Sequence, residues 1–435
     1  MRVTRIVDGR VPASLLPESD WVVEDGLVRV DIDLDGDRIG AVRARAGGPA
    51  PAGASDQQVL DQDGGQVWPG FVDCHTHLDK GHIWPRAANR DGSFWTALET
   101  VRADREANWS ETDIRRRFEF GLRSAEAHGT VAIRTHLDSM PGQDRITWPL
   151  FRALRDEWAG RIELQAVSLI GLDAFMGRFG EELADLVASS GGVLGGFGIM
   201  EPDLERQLDR VFALATERGL DLDFHVDENG DPGSHVLRKV AEAALRHRFE
   251  GTVLCGHCCA LALQPDEEAR RTLELVAAAG LAVVSLPLCN LYLQDRSAGR
   301  TPRWRGIAPL KEIAARRIPL ALASDNTRDP FYAYGDLDGL EVFREGVRIG
   351  QLDVPVGDAP ALVTRAPARI MGLAHRGRIV PGAPADLVLF RARFWSELLS
   401  RPAADRIVLH GGLRLDVRPP DYRELDDLFS TGAVA

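Results

Sequence analysis

The sequence predicts an α/β fold, a (β/α)8 TIM barrel over residues 67–370, with short strands before it in 1–66 and after it in 371–435. Two observations predict the barrel. Eight short apolar runs lie along the middle of the chain, and segments of helical period separate most of them. Eight such units in roughly 300 residues is the expected size of a (β/α)8 barrel. A doubly wound open sheet is the alternative that the same pattern allows.

In the first segment, Trp21 to Ile32 alternates roughly with period two, and Asp35-Gly36 reads as a hairpin turn before Arg38–Val42. Ala44 to Ala54 is rich in Ala, Gly and Pro and reads as a loop. The barrel runs are Val67–Asp73, Thr130–His136, Ile162–Leu169, Val193–Ile199, Leu220–Val226, Thr252–His257, Leu281–Leu286 and Pro319–Ser324. One helix opens at Ser110 with Ser-x-x-Asp and stops before Gly129. Another sets Leu204, Leu208, Val211, Phe212 and Ala215 on one face and ends at Gly219. After about residue 376 short strands return, in Arg378–Val380 and Asp386–Phe390. No internal repeat or low-complexity tract is present.

Composition bounds the function. The chain has 435 residues, of which 44% are hydrophobic and 27% charged, enough for a large buried core. Asp plus Glu outnumber Lys plus Arg by 65 to 52, for a net charge of −13. So acidic a surface repels phosphate backbones and argues against nucleic acid as a partner. No apolar run approaches the roughly 18 residues that span a bilayer, and the N-terminus lacks a signal peptide's apolar block. Five cysteines, an odd number, point to reduced thiols and a cytoplasmic location.

His75-Thr-His77 follows the first run. Side chains at i and i+2 of an extended segment point to one side, so both imidazoles can reach one cation. His225, His257 and Asp325 end the fifth, sixth and eighth runs. In a barrel, the C-terminal strand ends are the face where active sites are built. Cys255-Gly-His-Cys258 spells a redox motif, but it ends a strand-like run instead of opening a helix. With no second ligand pair for zinc, Cys255, Cys258 and Cys259 read as packing around His257.

These pieces, taken together, resemble the amidohydrolase superfamily of metal-dependent hydrolases and, within it, the cytosine deaminase-like branch. The resemblance rests on Pro-Gly-Phe-Val-Asp-x-His-x-His at 69–77, His-x-Asp-Glu at 225–228 and His257. Ala-Ser-Asp-Asn at 323–326, Asp-Pro-Phe-Tyr at 329–332 and the segment Gly377–Val388 extend it over nearly the whole chain.

The resemblance implies that the N- and C-terminal strands form one composite β domain beside the barrel. It implies one catalytic divalent ion, zinc or iron, held by His75, His77, His225 and Asp325. Three imidazoles and a carboxylate leave a position for water, activated to hydroxide near neutral pH. Glu228 matches the proton shuttle, and His257 the residue that holds the hydrolytic water. Asp325 takes a proton from that water. Lys80, His136, Asn326 and Phe331 match substrate-lining positions, Phe331 by stacking on a flat ring. The run Val193–Ile199 has no lysine for a two-metal bridge, which favours one ion.

The chain also departs from the cytosine deaminase pattern. Ala166–Leu172 lacks the glutamine that pairs with a pyrimidine, and Asn326 stands where a second Asp is usual. Lys80, Asn326 and Arg328-Asp329 are more similar to the branch that removes alkylamines from triazines. The expected activity is hydrolytic deamination of an aminated small-molecule heterocycle, cytosine or a 5-substituted cytosine first. A pterin or a triazine amine is the alternative. A ring-opening amide hydrolase and an inactive scaffold are remoter, because the bridging lysine is absent and the whole ligand set is retained. Relatives are commonly homo-oligomers.

Overall fold

In a computed structural model, residues 1–45 and 58–429 are described, so most of the predicted Ala44–Ala54 loop lies outside the described residues. The chain opens on β1 (Arg5–Pro12), β2 (Val23–Glu24), β3 (Leu27–Asp35), β4 (Arg38–Ala44) and β5 (Val59–Asp61). β3 pairs antiparallel with β1, β2 and β4, and β5 joins β1 in parallel. The β3–β4 hairpin turns at Asp35-Gly36, where Gly36 takes the left-handed φ of +62° that a tight turn needs. Along β3, Val28, Val30, Ile32 and Leu34 are buried while Arg29 and Asp35 are exposed, which is the period-two pattern in space.

The first predicted run is two strands. β6 (Val67–Pro69) and β7 (Phe71–Thr76) separate at Gly70, where the backbone changes partners. Gly70 donates to Asp386, and Phe71 donates to Gly129. A side chain at residue 70 would lie 2.5 Å from a Val131 methyl, so only glycine fits the crossover. One consequence is that the first barrel strand ends at Thr76 and carries His75 on its last turn of pleat.

The barrel elements then alternate: α1 (Phe94–Asn108), α2 (Glu111–His128), β8 (Thr130–Asp138), α3 (Asp144–Glu157), β9 (Glu163–Leu169), α4 (Arg178–Ser189) and β10 (Leu194–Phe197). They continue with α5 (Leu204–Arg218), β11 (Leu222–Val226), α6 (Val236–His247), β12 (Val253–His257), α7 (Asp266–Ala278), β13 (Ala282–Ser285), α8 (Pro287–Leu293), α9 (Leu310–Ala315) and β14 (Leu320–Leu322). β7–β9 form one sheet and β10–β14 another, each in sequence order. Parallel bridges join the sheet edges at Val167–Val193 and Gly171–Phe197, and again at Thr76–Asp325. Sequential strands joined at both edges make the eight-membered ring of a (β/α)8 barrel, not an open doubly wound sheet.

Local signals set the helix ends. Asp113 donates its N–H to Ser110 Oγ at 3.3 Å at the start of α2, and Gly129 follows its end at φ +93°. α5 buries Leu204, Leu208, Val211, Phe212 and Ala215 and stops at Gly219, φ +63°.

After α10 (Gly339–Gly350) come β15 (Leu387–Leu389), β16 (Ile407–His410) and β17 (Leu413–Arg414). They run antiparallel in the order β17-β16-β15-β6. The predicted strand at Arg378–Val380 is not one: Ile379 donates to Leu15 but joins no ladder. Two compact units result. Among the described residues, one comprises those of Met1–Asp73, Arg123–Ala132 and Asp338–Pro419; the other comprises Cys74–Leu122, Ile133–Leu337 and 420–429. The first has its own core, in which Val28, Val30 and Ile32 meet Leu387, Leu389 and Leu409. Among the described residues, no helix is long and apolar enough to cross a membrane.

Candidate active site

Four strand ends of the second unit bring ring nitrogens and a carboxylate together. His77 Nε2 lies 3.3 Å from His225 Nε2 and 3.1 Å from Asp325 Oδ1; His75 Nε2 lies 3.5 Å from the same oxygen. Ligand atoms of His75, His225, His257 and Asp325 all fall within 4.8 Å of one another. All five residues are buried. Two backbones are held left-handed here, His257 at φ +70° and Asp325 at φ +64°, a strain of about 1–3 kcal/mol each that aims their side chains inward.

Electrostatics favours a cation among these groups. Burial, with the nearby Lys80 charge, lowers His77 to about 4, and burial lowers His257 to about 3; His225 is also pushed far down by burial. The rings are therefore neutral and offer lone pairs. Asp325 stays well below the ordinary carboxylate range: burial pushes it up, but His75 and His77 outweigh that. His77 and His225 bring their Nε2 atoms to 3.3 Å of each other, and Asp325 Oδ2 has no hydrogen-bond partner among the described residues. Neutral imidazoles and an ionised carboxylate in this arrangement fit a divalent ion. His75 packs over Gly256, where a Cβ would come within 2.9 Å of its ring.

Glu228 stands in the loop after β11. Asp227 anchors that loop by accepting N–H bonds from Val236 and Leu237 at 2.8 and 2.9 Å, at the start of α6. Burial, reinforced by the charge of Asp325, raises the Glu228 carboxyl well above its usual range. Its Oε1 lies 3.2 Å from His257 Nδ1. Asn290, on α8, brings its Nδ2 to 3.0 Å from the same nitrogen and 3.4 Å from Glu228 Oε1.

A cavity of about 340 Å³ opens on His77, His225, Glu228 and His257. Its remaining wall is mostly apolar, with Phe94, Leu98 and Val101 of α1 facing Leu169, Phe197 and Phe331. Leu169 takes the β9 side of that wall, in the stretch that lacks an amide. Lys80, Asn326 and Phe331 line the cavity. Lys80 Nζ is 2.9 Å from Asp138 Oδ1 and 5.6 Å from the centre of the Phe331 ring. Arg105 takes the other Asp138 oxygen at 2.8 Å, and Asp79 accepts the Asp138 N–H at 2.7 Å. Asn326 donates to Asp329 at 2.7 Å.

His136 is placed differently from the other expected contacts. It is fully buried, its ring 4.1 Å from that of His75 and its Nε2 3.8 Å from Asp223, and it is not among the residues lining the cavity. All five cysteines are buried and none is in a disulfide, and burial raises the thiols of Cys255, Cys258 and Cys259, the opposite of the lowered thiol a redox motif uses. Sequence reasoning missed Arg105, Asp138 and Asn290. Asp138 had a signal, being two residues past His136 on the same strand; Arg105 and Asn290, on helices, had none.

Comparison with known proteins now bears on this geometry. The family model described as the amidohydrolase family matches residues 170–412. The chain belongs to that family. A pterin deaminase of Rhizobium rhizogenes is 53% identical over 412 residues, covering 94% of this amidohydrolase and 91% of that protein. Among solved structures, 5-methylcytosine deaminase of Klebsiella pneumoniae, liganded with 5-fluorocytosine, matches with a TM-score of 0.81 at 24% identity, over 96% of this chain and 98% of that one. N-isopropylammelide isopropylaminohydrolase of Burkholderia multivorans matches with a TM-score of 0.73 at 24% identity, over 95% and 98%. Both structures share the amidohydrolase fold. This amidohydrolase is an enzyme that hydrolyses carbon–nitrogen bonds other than peptide bonds, of the deaminase type.

Proposed function

We propose that this amidohydrolase deaminates a pterin-type substrate, a bicyclic aminated heterocycle, in place of the cytosine that the motifs put first. The observation that carries the reading is the 53% identity to a pterin deaminase over 94% of the chain. The cavity supports it: with no glutamine in Ala166–Leu172, its walls are largely apolar and leave room beyond one small ring.

A divalent ion, zinc or iron, is proposed to sit among His75, His77, His225 and Asp325, where it would lower the pKa of a water molecule. Glu228 and Asp325 then divide the proton work. Their environments push the two carboxyls in opposite directions, Glu228 up and Asp325 down, which is how acid and base are told apart. Glu228 donates its proton to a ring nitrogen next to the amine-bearing carbon. Asp325 receives a proton from the attacking water. Water adds its oxygen to that carbon; the proton taken by Asp325 passes to the amine, which leaves as ammonia when the carbon–nitrogen bond breaks, and the proton of the new hydroxyl returns to Glu228, so an oxo group replaces the amine and both carboxyls regain their starting states. Lys80 supplies donors to an electronegative ring substituent, Asn326 offers its second N–H, and Phe331 flanks the ring.

The test is ammonia release from a pterin, cytosine, 5-methylcytosine and an aminotriazine. We expect the pterin to have the highest kcat/KM. A preference for cytosine over every larger substrate by more than about 10³-fold, roughly 4 kcal/mol, would overturn the reading.

A further inference from the structure

We infer that Asn290 is a positioning residue: it fixes the ring proton of His257 on Nε2, making that nitrogen a hydrogen-bond donor toward the reacting centre and not a ligand. Asn290 is fully buried on α8, one turn past the end of β13. Its Nδ2 reaches two acceptors, His257 Nδ1 at 3.0 Å and Glu228 Oε1 at 3.4 Å. An amide NH2 has two protons and can serve both. Turned the other way, the amide would set its carbonyl oxygen against the Glu228 oxygen, two facing acceptors each time Glu228 has given up its proton, whereas the NH2 can donate to that oxygen in both states of the carboxyl. The amide orientation therefore follows from hydrogen-bond demand.

A ring nitrogen that accepts carries no proton, so the proton of a neutral imidazole sits on the other one. His257 Nε2 has no hydrogen-bond partner among the described residues, and His257 offers a ring nitrogen within 4.8 Å of ligand atoms of His75, His225 and Asp325. Bearing a proton, it cannot offer a lone pair to a cation. That separates His257 from the other histidines of the cluster on a physical ground, where ring proximity alone does not. Glu228 Oε1, 3.2 Å from the same Nδ1, is the competitor. An ionised Glu228 could accept a proton from Nδ1 and so invert the ring. Asn290, whose donors do not titrate, keeps the tautomer constant while Glu228 gains and loses its proton.

For turnover the inference rests on the deaminase reading above, but the tautomer itself is a property of the chain. The test is nitrogen NMR of protein labelled with ¹⁵N-histidine, zinc-loaded and zinc-free, with His257 assigned by its loss in His257→Asn. The expected result is Nε2–H for His257 in wild type and in Asn290→Ser, which can still donate. Asn290→Asp, whose carboxylate accepts, should show Nδ1–H and lose about 10- to 100-fold in kcat with KM nearly unchanged. Circular dichroism identifies a variant that fails to fold, and the wild-type spectrum alone still decides. Nδ1–H in wild type, or Nε2–H persisting in Asn290→Asp, would overturn the inference. An Nε2–H tautomer in a protein without deaminase activity would instead defeat the proposed function and leave this assignment standing.

Discussion

Lys80 Nζ sits 2.9 Å from Asp138 Oδ1, with both side chains about 95% buried or more at the edge of the cavity. The pair is ionised. Burial opposes charge on each, yet Asp138 raises Lys80, and Lys80, with Arg105 behind it, lowers Asp138. Lys80 has three donors and Asp138 occupies one, leaving others to face a substrate. We predict that Lys80→Met lowers kcat/KM on the best substrate by at least about tenfold, roughly 1.4 kcal/mol, through an orphaned polar group on the substrate. Steady-state kinetics on the four heterocycles checks this. Unchanged values on all of them would remove Lys80 from the binding site.

Glu228→Gln keeps the shape of the side chain and removes its transferable proton. We predict a fall in kcat of about 10²-fold or more, with metal content as in wild type. Metal analysis and turnover on the same preparation separate the two quantities. Near-normal turnover would assign the proton transfer to another residue.

One equivalent of divalent ion is expected per chain, from the one ligand set proposed above, His75, His77, His225 and Asp325. His225→Ala should lose most of it. Gly256→Ala should weaken it by about tenfold by a different route, because the new methyl would lie 2.9 Å from the His75 ring and displace it. Elemental analysis of dialysed protein measures both. A fully active metal-free enzyme would sink the site as described.

Asp338 and Arg406 form a half-buried pair at 2.6 Å within the first unit, and Asp338 also caps α10 through the Leu340 N–H. Burial pushes this carboxyl up, but Arg406 more than offsets it and holds the folded value below the ordinary 3.8. A lowered folded pKa gives stability that is present above the unfolded value, about 3.9, and is lost as pH falls through the folded one. Asp338→Asn should therefore cost about 3 kcal/mol at pH 7, and the gap to wild type should shrink below about pH 4. Denaturation at several pH values tests it. A constant gap across that range would contradict the linkage.

Much of the fold could be read from the sequence because its signals are local. Asp35-Gly36 needs only a turn, and Ser110 with Asp113 needs only a cap. The division of Val67–Asp73 at Gly70 was not legible, since it depends on partners supplied by Gly129 and Asp386. The convergence of His75, His77, His225 and Asp325 was legible because barrel topology places strand ends together, whatever lies between them. Arg105 and Asn290 were hidden for the opposite reason. Arg105 reaches the cavity, and Asn290 reaches His257 and Glu228, each from a helix, where one turn of rotation decides what a polar side chain meets. Substrate choice stayed open in the sequence, because the glutamine missing from Ala166–Leu172 says what does not bind, and not what does; the 53% identical relative backs the pterin alternative better than cytosine.

The bridge between Thr76 and Asp325, where the Asp325 N–H donates to His75 at 2.9 Å, joins the first barrel strand to the last. His75 and His77 leave the ribosome early in synthesis, while Asp325 follows only after all eight strands have been made. No shorter nascent chain, and no ring left open at this seam, can present the carboxylate to the imidazoles. In the ligand set proposed here, full cation capture is thus a checkpoint on topology: it registers that the two ends of the barrel have found each other.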